Sequence, residues 1–108
     1  MTAKTSALIM GVGPEQGLGA ALCKRFAREG IQIFVCGRTT DKVEHTAALI
    51  NSNGGQGVPI TANLTDEADV NAMIDRVRVS NLPLELAIYN AGNNRPDPFL
   101  EVTPEIFE

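Results

Sequence analysis

The apolar and polar positions of this chain switch between two periods. Thr5–Met10 is a short, nearly continuous apolar run that ends at Gly11. Such a run predicts a strand buried on both faces, as parallel sheets require. From Gly17 to Arg28 the period becomes helical: Leu18, Ala21, Leu22, Arg25 and Phe26 recur on one side, Lys24, Arg28 and Glu29 fill the rest, and Gly30 follows as a stop. Ile31–Cys36 is a second apolar, β-branched run. Asp41 then reads as the cap of a second helix, about Lys42–Asn53, which closes on Asn53-Gly54-Gly55. Val58–Ala62 predicts a third strand. Asp66 opens a third helix, about Glu67–Ser80, with Ala68, Val70, Met73, Ile74 and Val77 as its apolar face. Pro83 precedes a fourth strand, Leu84–Tyr89, and a polar turn follows over Asn90–Pro98. Thr103-Pro104 has the form of an N-cap with proline at the first helical position, and four residues follow it.

Strict β-α alternation predicts an α/β protein with a parallel sheet and right-handed crossovers. No repeat or linker divides the chain, so residues 1–108 read as a single domain. One turn of helix is not stable alone, which gives the expectation that the chain is the first half of a larger fold. Composition changes this picture little. With 44% apolar and 20% charged residues, the chain is of ordinary globular type. Its net charge of −4 and its nine scattered Lys and Arg residues argue against nucleic acid as a partner. No apolar run is long enough to cross a membrane, and the N-terminus has no signal-peptide pattern. A cytoplasmic protein is the expectation. Cys23 and Cys36 fall in a helix and a strand pattern and read as buried, reduced thiols. His45, the single histidine, lies in a polar helix pattern with no metal-ligand spacing around it.

The candidate chemistry lies in the turn between the first strand and the first helix. Gly11, Gly13, Gly17 and Gly19 fall within nine residues. A pyrophosphate needs to approach backbone N–H groups at a helix N-terminus, where unpaired donors and the helix dipole favour an anion. A Cβ would hold it off. In this reading Gly11 or Gly13 makes the turn, Gly17 admits the phosphate and Gly19 lets the helix pack, with Gln16 and Leu18 as the flanking loop residues. The strict G-x-G-x-x-G pattern fails, because Gln16 stands where a glycine is expected; Gly13, Gly17 and Gly19 instead form G-x-x-x-G-x-G. The competing reading is a plain strand-to-helix turn.

At the end of the second strand a site for NAD(H) usually carries Asp or Glu, which bonds the adenosine ribose. Here the strand runs into Gly37-Arg38-Thr39-Thr40. A guanidinium beside two hydroxyls suits a 2′-phosphate, which favours NADP(H) over NAD(H). The alternative is a surface arginine in a polar loop.

With these residues the chain resembles the N-terminal half of the short-chain dehydrogenase/reductase family. Four features carry the resemblance: the Gly13, Gly17, Gly19 turn; Gly37-Arg38; Asn63-Leu64-Thr65-Asp66, which resembles the family's Asp-Val/Leu-Thr-Asp; and Tyr89-Asn90-Ala91-Gly92, which resembles its Asn-Asn-Ala-Gly. The resemblance implies a Rossmann-like, truncated doubly wound fold with strand order 3-2-1-4. It also implies hydride transfer between NAD(P)(H) and an alcohol or carbonyl. Carried over residue by residue, it puts Asn63 and Leu64 at the adenine, and Asn90, Ala91 and Gly92 near the cofactor ribose. Three departures stand out. Pro14-Glu15 reads as an insertion that brings a carboxylate near the expected pyrophosphate, Asn63 replaces an Asp, and Tyr89 replaces an Asn.

The family's catalytic Ser and Tyr-x-x-x-Lys have no counterpart. Tyr89 is the only tyrosine, the residue four positions on is Asn93, and Tyr89 reads as a packing or hinge residue. Three readings follow: a reductase whose catalytic half lies outside this chain, a non-catalytic nucleotide-binding module, or a self-associating remnant. Leu84–Tyr89 would form an exposed sheet edge, which predicts a homodimer or higher homo-oligomer.

Overall fold

A computed structural model describes residues 3–14 and 16–90. Glu15, Ala91, Gly92, the rest of the polar turn and the Thr103-Pro104 helix start lie outside the described residues. Seven elements alternate: β1 (Ser6–Met10), α1 (Leu18–Ala27), β2 (Gln32–Gly37), α2 (Thr40–Ser52), β3 (Gly57–Thr61), α3 (Glu67–Val79) and β4 (Leu84–Tyr89). The four strands form one parallel sheet in the order β3-β2-β1-β4. This is the order that the resemblance implies, and each predicted element lies within one or two residues of the observed one.

The sheet is covered on both faces. On one, Ala7 and Ile9 of β1 and Ile33 and Val35 of β2 pack against Ala20 and Cys23 of α1 and Val43, Ala47 and Ile50 of α2. On the other, Leu8, Phe34, Cys36 and Ile60 receive Met73 from α3. Inner strands buried on both sides need unbroken apolar sequence, which is what β1 and β2 supply.

All three helices depart in part from their sequence reading; on α3, Ala68 and Ile74, read as part of the apolar face, are exposed. The α1 face that packs is centred on Gly19, Ala20 and Cys23, while Leu18 is 63% exposed. Leu22 and Phe26 of the predicted stripe do pack against this core, but small residues form its buried centre because the helix lies close to the sheet. The N-cap of α2 is Thr39, and Asp41 lies in the first helical turn; it complements the helix dipole there and does not cap. Asp66 does cap α3, accepting from the N–H groups of Ala68 at 2.9 Å and Asp69 at 3.3 Å.

Candidate functional site

Three backbone hydrogen bonds continue the ladder past the carboxyl ends of the strands. Val12 N donates to Cys36 O at 2.8 Å, Ala62 N to Gly37 O at 2.9 Å, and Asn90 N to Met10 O at 2.9 Å. They hold the loops after β1, β2, β3 and β4 side by side. A cleft of about 300 Å³ opens above them. It is lined by Gly11, Val12, Gly13 and Pro14 after β1; Gly37, Arg38, Thr39 and Lys42 after β2; Ala62 to Thr65 after β3; and Tyr89 and Asn90 at the end of β4. This is the crevice at the carboxyl ends of an open α/β sheet where ligands of such folds bind.

Of the residues singled out by sequence, the cleft brings together Gly11, Gly13, Arg38, Thr39, Asn63, Leu64 and Asn90. Gln16, Gly17, Leu18 and Gly19 stand beside it, at the amino end of α1. Gly11 makes the turn: its φ is +84°, and a Cβ there would overlap the Asn90 carbonyl. The Asn90 side-chain amide reaches back to Gly11 O at 3.5 Å. The start of α1 has Gly17 as N-cap, no side-chain cap and no acidic residue in its first turn. Its first-turn N–H groups therefore keep the donor capacity that an anion uses. A Cβ at Gly13 would meet nothing within 4 Å. An open glycine backbone beside an uncapped helix start is a cradle that fits a pyrophosphate group.

Two residues take a role here that the sequence reading did not give them. A Cβ at Gly37 would collide with Val12 O and with Val43 Cγ1, so this glycine lets the β1 and β2 loops close against each other. Its cue was its place directly before Arg38 at the strand end. Lys42 lies four residues after Arg38, on the first turn of α2, and also lines the cleft. Both cations thus line the same cleft. Among the described residues of the lining there is no Asp or Glu.

Asn63 is held by its neighbours. Its N–H donates to Asp69 Oδ2 at 2.8 Å, and its Oδ1 accepts from Thr65 N at 3.0 Å and from Thr65 Oγ1 at 2.7 Å. Thr61 Oγ1 donates to Thr40 Oγ1 at 3.0 Å and ties the end of β3 to the start of α2. Cys36, just below the cleft, is no nucleophile. Burial first, and then the Asp69 carboxylate, push its thiol up to about 11, and Cys36 Sγ lies 3.4 Å from Met73 Sδ. Cys23 is pushed up to about 12 by burial, partly opposed by a backbone hydrogen bond. Both are free thiols.

A second, more open hollow of about 700 Å³ lies at the other end of the sheet, around Lys4, Phe26, Ile31 and Glu85. Its Arg25–Glu29 pair at 2.6 Å and Thr5–Glu85 hydrogen bond at 2.8 Å already satisfy each other. Among the described residues no cluster of side chains could hold a metal ion. No described helix is long and apolar enough to cross a membrane.

A parallel 3-2-1-4 sheet with a glycine turn at its carboxyl ends defines a Rossmann-like α/β protein. Comparison with known proteins makes this specific. The family model described as short chain dehydrogenase matches residues 6–108. The chain belongs to the short-chain dehydrogenase/reductase family, whose members are NAD(P)-binding oxidoreductases, and corresponds to their N-terminal part. It is 33% identical over 95 residues to dehydrogenase/reductase SDR family member 11 of Mus musculus, covering 86% of this chain and 36% of that protein. Among solved structures, a hydroxysteroid dehydrogenase from Escherichia coli superposes with a TM-score of 0.79 at 27% identity, covering 90% of this chain and 40% of that one. A short-chain dehydrogenase from Rhodopseudomonas palustris gives 0.74 at 31% identity, covering 96% and 48%. The chain thus spans less than half the length of these relatives.

Proposed function

We propose that this chain is the NADP(H)-binding portion of a short-chain reductase, with the cleft above β1, β2 and β3 taking the adenosine half of the dinucleotide. The observation that carries this reading is the charge of the cleft wall: Arg38 and Lys42 stand together after β2, and no carboxylate faces them among the described lining residues. A ribose 2′-hydroxyl calls for a carboxylate at this place; a 2′-phosphate calls for cations. The amino end of α1, with Gly13 and Gly17, holds the pyrophosphate in this reading, and Gln16, Leu18 and Gly19 flank it. In this reading Asn63 and Leu64 border the base, while Asn90 borders the second ribose.

The bound cofactor supplies a hydride to a carbonyl, or takes one from an alcohol. This chain's own residues bind and orient it. In this reading the proton-transfer group of the full enzyme lies outside these 108 residues. Titration of the chain with NADPH and NADH tests the reading. NADPH binds at least tenfold more tightly, and Arg38→Ala removes most of that preference while leaving NADH binding nearly unchanged, since a charge-assisted phosphate contact is worth about 1.5–3 kcal/mol. Tighter binding of NADH would overturn it.

Two lesser parts belong to the same proposal. Free, buried cysteines suit a reducing compartment, so a cytoplasmic location is proposed. Self-association along β4 is proposed from the exposure of that strand, with Leu84 at 45% and Tyr89 at 37%.

A further inference from the structure

The residue at the β3 end of the cleft has a fixed hydrogen-bonding polarity. Thr65 N–H can only donate, so the side-chain atom of Asn63 that faces it at 3.0 Å must be the oxygen. The Thr65 hydroxyl donates to the same oxygen at 2.7 Å. A carbonyl oxygen has two lone pairs, and both are now used. The Asn63 backbone cannot swing to change this: its N–H is held by Asp69 and its carbonyl accepts from Asp66 N at 3.0 Å. What Asn63 has left to offer a ligand is the N–H pair of Nδ2. Elsewhere in the lining, Thr39, Thr65, Tyr89 and Asn90 carry side-chain oxygens that can accept. Arg38 and Lys42 are donors only, and Ala62 and Leu64 have apolar side chains.

We infer that Asn63 sets base selectivity by donating from Nδ2 to the 6-position of the bound purine, so that the cleft accepts a 6-oxo base at least as readily as a 6-amino base. The inference rests on the nucleotide reading of this cleft. An amino group at that position would set donor against donor, and an unpaired polar group shut into an interface costs affinity. Asn63→Asp reverses the polarity with almost no change of shape. One carboxylate oxygen still accepts from Thr65 twice, and the other becomes an acceptor towards the base.

The test is a titration of the full chain and its Asn63→Asp variant with NADPH and with the dinucleotide carrying hypoxanthine in place of adenine. The two ligands bear the same charge, so repulsion by the new carboxylate cancels in the ratio of their dissociation constants. In the unsubstituted chain the hypoxanthine form binds as tightly as NADPH or more so. In Asn63→Asp the ratio moves about tenfold towards adenine, the size expected for one mismatched hydrogen bond. A ratio unchanged within twofold, or a shift towards hypoxanthine, would overturn the inference. Should the carboxylate abolish both ligands' binding, Thr65→Val decides. It frees one Oδ1 lone pair with no change of charge, and a ratio that does not move towards adenine counts against the inference. If neither nucleotide binds the unsubstituted chain, the cofactor reading falls first and takes this one with it.

Discussion

At the residue scale the described residues carry one uncompensated buried polar atom and several well-placed ones. Thr46 on α2 is fully buried among Val43, Ala47 and Ile50, and its Oγ1 has no hydrogen-bond partner among the described residues. A hydroxyl in that position pays its desolvation without return. Thr46→Val keeps the shape and removes the polar atom, so it stabilises the fold by about 1 kcal/mol, read as a higher midpoint in urea unfolding; a lower midpoint would mean that the hydroxyl has found a partner. The substitution lies away from the cleft and leaves nucleotide binding unchanged. Arg38→Ala is its counterpart: exposed, with little effect on stability and a large one on NADPH. This separation of stability from binding between neighbouring positions 38 and 46 follows from burial alone.

At the element scale, α3 is the weakest-held helix. It buries only Met73 fully, and Val79 is 77% exposed. Its amino end depends on Asp66, which satisfies two N–H groups. Asp66→Ala therefore costs about 1 kcal/mol, measured by thermal or urea unfolding, and loosens the nearby Asn63–Asp69 contact. Element type and order were legible in the sequence because β1 and β2 are unbroken apolar runs and the glycines punctuate them. The α1 face was legible only in part: Leu22 and Phe26 pack as read, but close approach to the sheet selects Gly19 and Ala20 over Leu18. Nor was the α2 cap, because a Thr followed by Thr and Asp offers three capping residues in a row. Within the site, Arg38 and Asn63 could be read from their places at strand ends. The roles of Gly37 and Lys42 could not: the first acts through its closeness to Val12 and Val43, and the second only once the α2 start stands beside the cleft.

At the scale of the whole molecule, the two outer strands of the described sheet differ. β3 carries Pro59 in mid-strand, which removes an N–H and blunts that edge. β4 has no proline and leaves its apolar side chains half-covered. The self-association proposed above therefore belongs to β4: the expected outcome is a dimer or larger species in size-exclusion chromatography with light scattering, with Leu84→Lys shifting it towards monomer. A clean monomer at micromolar concentration would refute this. The three hydrogen bonds beyond the strand ends have a consequence of another kind. Val12, Ala62 and Asn90 lie just outside the strands, yet their amides are locked to the carbonyls of Cys36, Gly37 and Met10. They share the cooperative opening of the sheet, so their protons exchange with solvent as slowly as those of β1 and β2 in amide exchange measurements. The floor of the cleft is rigid before any ligand arrives, and binding has little backbone entropy left to lose there.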